Sequence, residues 1–285
     1  MSLSPRVLLS IDYEPVFALF RHYDHIRDPH QRFELDAGFT RRVLDPVLEQ
    51  LGESKASLYL VGEIAGWYPE VPQKIVSAGH ELGLHCHIHR PLVNVHELAE
   101  DLAESAAWCR QYGVRGYRAP MVGIREEAYA LLERSGFQYS SSMYAPTGTL
   151  LQRGNVWEIP VSTIRLRARA ETYAAPRDFS SKLLLQGEFP YGSSFSIGLM
   201  SKMILKVIEG ELKRGLCPSI ILHPYELVKP TSSYRLTRDL MRDPLFIFFL
   251  RNKSAFLKDL LRNFPVSPLG VYLDEMLVLM ERQNA

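Results

Sequence analysis

The sequence predicts an α/β protein built on a mostly parallel sheet, and three observations carry that expectation. Short apolar runs rich in Val, Leu and Ile alternate with amphipathic stretches over most of the chain. Glycines stand where the amphipathic stretches should stop, at Gly52, Gly79, Gly113 and Gly215. No Gly/Ser linker, repeat or low-complexity block interrupts the pattern, so one domain is expected over residues 1–285, with a helical extension from about 234.

The elements follow in order. Residues 6–11 form a short apolar run, as a buried strand requires. Thr40 is placed to cap a helix carrying Val43, Leu44, Val47, Leu48 and Leu51 on one face, although Pro46 fits a helix best in its first turn. A strand over 57–61, a helix over 69–78 and a strand over 81–87 come next. The helix over 95–112 sets Leu98, Leu102, Ala106 and Cys109 on one face. Then come a helix over 125–135, strands over 136–140 and 156–164, a long helix over 197–214 and a strand over 219–223. Residues 165–188 are polar and irregular and read as an excursion.

Composition narrows the function. The chain is 46% hydrophobic and 23% charged, with 33 basic against 32 acidic residues and a net charge of +1, which gives no drive toward nucleic acid. Cys86, Cys109 and Cys217 are widely spaced and odd in number, which suits buried thiols in a reducing compartment. The N-terminal residues do not read as a secretory signal, and no run reaches the ~20 apolar residues of a spanning helix. A cytoplasmic protein is expected, with the inner membrane surface still open to it.

In a parallel α/β fold, reactive residues gather at the carboxyl ends of strands. The polar residues there are Asp12 and Glu14, then His85, His87 and His89, then Arg118, and finally His223. Two imidazoles and a carboxylate form a common ligand set for a catalytic divalent ion. A spare carboxylate can then act as base and a spare His as acid. Taken singly each has a plainer reading: Asp12-Tyr-Glu14 as a capping turn, residues 84–89 as a surface loop, Arg118 as a salt-bridged turn, His223 as a core histidine.

The motifs themselves resemble the polysaccharide deacetylases of the NodB-homology, carbohydrate-esterase-like type, from about Val7 to Leu227. Gly79-His-Glu-Leu-Gly-Leu-His-Cys-His-Ile-His89 is similar to that family's Gly-His-Glu-Ile-Gly-x-His-x-x-x-His signature. Ala56-Ser-Leu-Tyr-Leu-Val-Gly62 resembles the strand before it, Gly116-Tyr-Arg-Ala-Pro120 the Arg-x-Pro motif, and Ser219-Ile-Ile-Leu-His223 the last motif. Ser10-Ile-Asp-Tyr-Glu14 resembles the Asp-x-Asp/Glu form of the opening motif. Residues 189–227 resemble a subgroup associated with bacterial exopolysaccharide and lipid-linked sugar pathways.

The resemblance implies an irregular TIM-like (β/α) barrel of about seven parallel strands that removes an acetyl or formyl group from an amino sugar. It implies one divalent ion on Glu14, His85 and His89, Zn²⁺ first, with Co²⁺, Ni²⁺ or Mn²⁺ also suited. It implies Asp12 as general base, Arg118 holding Asp12, and His223 as the acid that protonates the departing amine. The cytoplasmic expectation favours a nucleotide- or lipid-linked sugar over a wall polymer. His87, extended with its neighbours, would point to the same side as His85 and His89. Tyr13, Trp67 and Tyr144 are candidate sugar platforms or plain core.

One departure stands out. Where the family has an Asp that orients the acid histidine, this chain has Ser140, Ser141 and Ser142, so Glu226 or another group must substitute or the acid step weakens. Two other classes compete: an amidohydrolase using His85-Cys-His87 as its metal pair, and a catalytically weak or inactive carbohydrate-binding protein on the same fold. Residues 244–264 mix aromatics with Arg251, Lys253, Lys258 and Arg262, and read either as a buried helix with a basic face or as a segment that meets an anionic membrane.

Overall fold

The structure is a computed structural model that describes residues 3–92, 94–166, 183, 187–230, 236–242 and 244–284. Its strands, in chain order, are β1 (Val7–Tyr13), β2 (Ser57–Leu60), β3 (Glu81–Leu84), β4 (Gly116–Tyr117), β5 (Tyr139–Ser140) and β6 (Tyr144–Pro146). They continue with β7 (Leu151–Arg153), β8 (Val156–Glu158), β9 (Val161–Arg165), β10 (Glu188–Phe189), β11 (Ser219–Leu222) and β12 (Val266–Ser267). Strands β11, β1, β2, β3, β4, β5 and β8 lie side by side in that order and run parallel. Antiparallel β7 follows β8 at one edge, and β12 pairs with β1. The sheet curls into a partial barrel. Its open side is bridged by β10, β9 and β6, with the backbone N–H of Ser219 on β11 donating to Ser162 Oγ on β9 at 2.8 Å.

Alternation along β1 decides what faces where. Val7, Leu9, Ile11 and Tyr13 join Leu58, Leu60, Ile220 and Leu222 in a core with Val43, Leu44, Val47 and Leu51 of the helix Phe39–Leu51. Leu8 points the opposite way and packs with Tyr59, Tyr139 and the C-terminal helix residues Leu269, Tyr272 and Leu273. Both faces of the strand are therefore covered, as parallel strands require. The same parity carries Ser10 and Asp12 onto the concave side, above the plug made by Leu269 and Tyr272. The helix Leu269–Asn284 is pinned there by backbone N–H donation from Leu269 to Ser57 Oγ (2.8 Å) and from Gly270 to Glu81 (3.0 Å).

Several boundaries differ from expectation, each for a local reason. Pro46 lies inside the helix Phe39–Leu51, whose N-cap is Gly38, with Thr40 already in its first turn. The strand expected to reach residue 87 stops at Leu84, because Cys86 adopts a left-handed φ of 57° that no strand can continue through. The strand expected over 156–164 divides into β8 and β9 in different sheets; Pro160 sits at the junction and offers no N–H to a ladder. The expected excursion over 165–188 falls mostly outside the described residues. The C-terminal segment is helical at Leu236–Arg242, Ile247–Leu250, Ser254–Asn263 and Leu269–Asn284, but it also contributes β12, which had not been expected.

Candidate active site

Four strand ends deliver the expected residues to one mouth. Asp12 and Glu14 leave β1, His85 and His89 follow β3, Arg118 follows β4 and His223 follows β11. Asp12, Glu14, His85, His89 and His223 all line one cavity of about 130 Å³. Engineered apolar cavities of ~150 Å³ hold a benzene molecule, so this volume, open at the mouth, suits an acyl group and part of a ring.

Glu14 sits between the two imidazoles. Its Oε2 lies 3.3 Å from His85 Nε2 and 3.0 Å from His89 Nε2, and among the described residues these three side chains form a group able to hold a metal ion. Ligand atoms about 2.0–2.2 Å from a tetrahedral ion lie roughly 3.4 Å apart, so the separations fit. Glu14 Oε2 is buried and makes no hydrogen bond, a costly state for a carboxylate oxygen that a cation would relieve. Tyr225 donates to the other oxygen, Oε1, at 2.7 Å. His85 Nδ1 lies 3.0 Å from the carbonyl of Arg118. A carbonyl can only accept, so Nδ1 carries the hydrogen and Nε2 turns its lone pair toward Glu14. The donor set fits a divalent ion.

Electrostatics agree with that geometry. Burial pushes the Glu14 carboxyl up, but His89, His223 and His85 outweigh it and hold it well below the usual carboxylate range. Burial pulls His89 down to about 4, against the attraction of Glu14. Burial also opposes charge on His85, yet Asp12 and Glu14 together raise it.

Asp12 is turned away from the pair of imidazoles toward Arg118. Arg118 Nη1 donates to Asp12 Oδ1 at 3.2 Å, while Nη2 donates to Ser141 Oγ at 2.8 Å and the guanidinium lies 4.4 Å from the Tyr59 ring centroid. The other carboxylate oxygen, Oδ2, faces the mouth 3.8 Å from His85 Nε2. Of the two carboxylates, Glu14 is the one grouped with the imidazoles.

His223 stacks on Tyr225 and places Nε2 3.8 Å from Glu14 Oε1. Its Nδ1 meets Glu226 Oε1 at 2.9 Å, and the Glu226 carboxylate also accepts from the His223 backbone N–H at 3.0 Å. Glu226 in turn accepts from Ser194 and lies 3.2 Å from the buried Lys253 ammonium. Burial disfavours charge on His223, but Glu226 chiefly, with Glu14 and Asp12, pushes it up to about 9. Of the serines at the expected Asp position, Ser141 accepts from Arg118, Ser142 Oγ accepts from the Ala119 N–H and Ser140 donates to Ser142. The contact sought at Ser140 is made by Glu226.

The turn 85–89 is held from two sides. The N–H groups of Gly62 and Glu63 donate to the carbonyls of Cys86 and His87 at 2.8 and 3.1 Å. A Cβ on Gly62 would lie 2.1 Å from Ser105 Oγ, so only glycine admits this approach. Buried Asp101, on the helix Val95–Gln111, accepts from the N–H groups of His87 and Ile88 at 2.6 and 3.1 Å. Because Cys86 reverses the backbone, His87 does not join its neighbours: its Nδ1 pairs with Ser105 Oγ at 3.1 Å. The His85-x-His87 metal pair of an amidohydrolase is therefore not assembled. Tyr144 lines the cavity, whereas Tyr13 is core with its hydroxyl on the Thr40 carbonyl, and Trp67 packs on Phe33 and Tyr68. Phe246, Phe248 and Phe249 turn inward against Phe20, Phe195 and His223 instead of outward, and Phe246 and Phe249 wall the cavity. Tyr225, Asp101 and Lys253 were not singled out from the sequence for roles at the site. Tyr225 stands two residues past the last motif, and the other two announce themselves only through contacts distant in the chain.

No family model matches the chain. In sequence it is 26% identical over 151 residues to a peptidoglycan deacetylase-like protein of Gibberella zeae; that match covers 48% of this chain and 44% of the relative, so the chain spans under half of that relative's length. In structure it superposes with a TM-score of 0.55 on a protein of Mycobacterium smegmatis described as a polysaccharide deacetylase, at 16% identity over 94% of this chain and 95% of that one. The chain has the polysaccharide-deacetylase fold. A Pseudomonas aeruginosa protein given the same description shares this fold (TM-score 0.52, 15% identity, 92% of each chain), and so does an allantoinase (TM-score 0.53, 15% identity, 92% and 91%). Proteins named for different activities thus share this fold, and the choice rests on the site.

Proposed function

We propose that the chain hydrolyses an N-acyl amide on an amino sugar, with a nucleotide- or lipid-linked sugar as its substrate class. The observation that carries this reading is a Glu14–His85–His89 donor set sharing one small cavity with Asp12, held by Arg118, and with His223, held by Glu226. A divalent ion there, Zn²⁺ foremost, would polarise the acyl carbonyl and lower the pKa of water. Asp12, fixed by Arg118 through Oδ1, takes the proton of the attacking water on its free Oδ2. His223, protonated at neutral pH, gives the proton on Nε2 to the leaving nitrogen, while Glu226 keeps Nδ1–H oriented. Water is thereby split across the amide to leave a carboxylate and a free amine. Phe246, Phe249 and Tyr144 offer apolar walls for the acyl group and the sugar face.

Release of free amine from a panel of N-acetyl and N-formyl sugars, offered free, nucleotide-linked and lipid-linked, tests the reading after chelation and after Zn²⁺ is restored. Asp12→Asn should retain the metal and lose ~10²-fold or more in turnover. Sugar binding that survives chelation, with no amine released from any substrate, would favour the inactive carbohydrate-binding alternative. Turnover of a cyclic ureide in place of the sugars would move the chain toward the chemistry named for the allantoinase that shares its fold.

A further inference from the structure

The outer side of the wall formed by Phe246 and Phe249 is an apolar surface with a basic border. Met241 is 80% exposed, Leu245 68% and Ile247 50%, all in the short stretch that leads into and through the helix Ile247–Leu250. Alternate residues of that stretch divide the work: Phe246 enters the cavity wall while Leu245 and Ile247 face solvent. The helix Ser194–Lys213 extends the same surface. Its Phe195 packs on Phe248 and Phe249, and Arg251 Nη1 donates to the Gly198 carbonyl at 3.0 Å, so Leu199 and Met203, both exposed one turn apart, adjoin it. Met121, exposed at the cavity rim, adds a further apolar group at the mouth. Exposed apolar side chains grouped on two packed elements mark a candidate interaction surface.

The charges beside this surface identify the partner. Lys202, Lys206, Arg242 and Arg251 are exposed around it, and none of the four forms an ion pair among the described residues. On the same helix the exposed Glu209 is already taken by Lys213 at 2.6 Å. A protein partner would have to supply acidic groups at four points and an apolar patch between them. An anionic bilayer supplies both over any area, as headgroup phosphates above acyl chains. We propose that this face rests on an anionic lipid surface, with the cavity mouth beside the headgroups. Leu245 and Ile247, in place of the aromatics beside them, are the groups that enter the boundary. Lys253 takes no part, since it is buried against Glu226.

Co-sedimentation with vesicles tests this without recourse to turnover, so its outcome is separate from that of the hydrolase reading. The metal-loaded full chain should bind vesicles of phosphatidylcholine with phosphatidylglycerol, bind phosphatidylcholine alone at least ~10-fold more weakly, and release as salt rises. Leu245→Ser with Ile247→Ser should weaken binding ~10-fold or more while the unfolding midpoint stays put, because both side chains are exposed in the folded chain. Leu199→Ser with Met203→Ser, on a different helix, should do the same. Lys202→Gln with Lys206→Gln should cost about 10-fold on anionic vesicles and flatten the salt dependence. Absence of binding, equal binding to neutral vesicles, or a dimer in solution that the Leu245→Ser, Ile247→Ser pair dissolves would each overturn the proposal, the last by making a second copy the occupant.

Discussion

Asp101 touches neither the donor set nor the cavity, yet it governs where His85 and His89 point. Its two carboxylate oxygens accept the N–H groups of consecutive residues, and those two bonds hold a turn whose first step is the left-handed Cys86. A non-glycine residue in that region costs on the order of 1–3 kcal/mol unless its surroundings enforce it. Among the described residues, the other positive-φ non-glycines are Ala37, Met121 and Val122, and the last two follow Arg118 at the same mouth. Backbone strain therefore collects in the two loops that carry the site. Asp101→Asn keeps one acceptor but turns an NH₂ group on the second N–H, so the turn should relax. Metal affinity, measured by competition with a chelator, should fall about 10–100-fold, the usual cost of losing a group that orients a ligand. An unchanged affinity accompanied by lower stability would reduce Asp101 to a fold-keeping residue.

Between the elements, the C-terminal segment completes the acid side of the barrel. Lys253 donates to the carbonyls of Phe248 and Phe249 at 3.1 and 3.0 Å, closing the helix Ile247–Leu250, and its ammonium also neutralises Glu226. Lys253→Met strips those carbonyls and leaves Glu226 with His223 as its one remaining charged partner. Breaking a buried pair this way costs about 3–5 kcal/mol, so denaturant unfolding should show a loss of that size. A loss below ~1 kcal/mol would mean that Glu226 finds a partner without it. This contact also marks where sequence reading stops. Val, Leu and Ile runs made β1, β2, β3 and β11 legible, and polar residues at their ends made Asp12, Glu14, His85, His89 and His223 legible, because strand ends and side-chain parity are local properties; Arg118 follows the two-residue β4, which no apolar run announces. Lys253 reads as one more basic residue on an amphipathic helix, and only the fold reveals that it lies against Glu226, 27 positions earlier. The two-residue strand β12 is equally silent, since Val266 and Ser267 become a strand by pairing with Val7 and Leu8. The sequence left Phe246, Phe248 and Phe249 open between a buried and a membrane-facing reading for the same reason: the rings they pack on, Phe20, Phe195 and His223, are remote in sequence.

For the molecule as a whole, the buried groups of the barrel tie its stability to pH and to the metal. His223 is raised from 6.5 to about 9, so its stabilisation is full below about 6.5 and is lost as pH rises through 9. Glu226 is lowered from 4.5 because Lys253 and His223 outweigh burial, so its share is present above 4.5 and lost on acidification. Asp101 acts in the other sense: burial raises it from 3.8 to about 6, and ionising it across that interval costs stability as pH rises. The His223–Glu226 pair of the metal-free chain should therefore contribute most between about 4.5 and 6.5 and fade toward 9. A divalent ion changes this profile, because its ligands must be deprotonated, while Asp12 and Glu14 raise the His85 pKa against burial. Protons and metal compete for one site. At a free metal concentration of ~100 Kd the ion stabilises the fold by about 2.7 kcal/mol, and less as falling pH brings protons into competition for its ligands. Thermal unfolding midpoints with chelator and with Zn²⁺ should consequently diverge as pH climbs from about 5 to about 8, the metal-free curve declining while the loaded one holds. His89→Ala should collapse the two curves onto one another at every pH. A gap that stays flat or narrows toward alkaline pH would count against Glu14, His85 and His89 as the metal centre, whatever the chain turns out to hydrolyse.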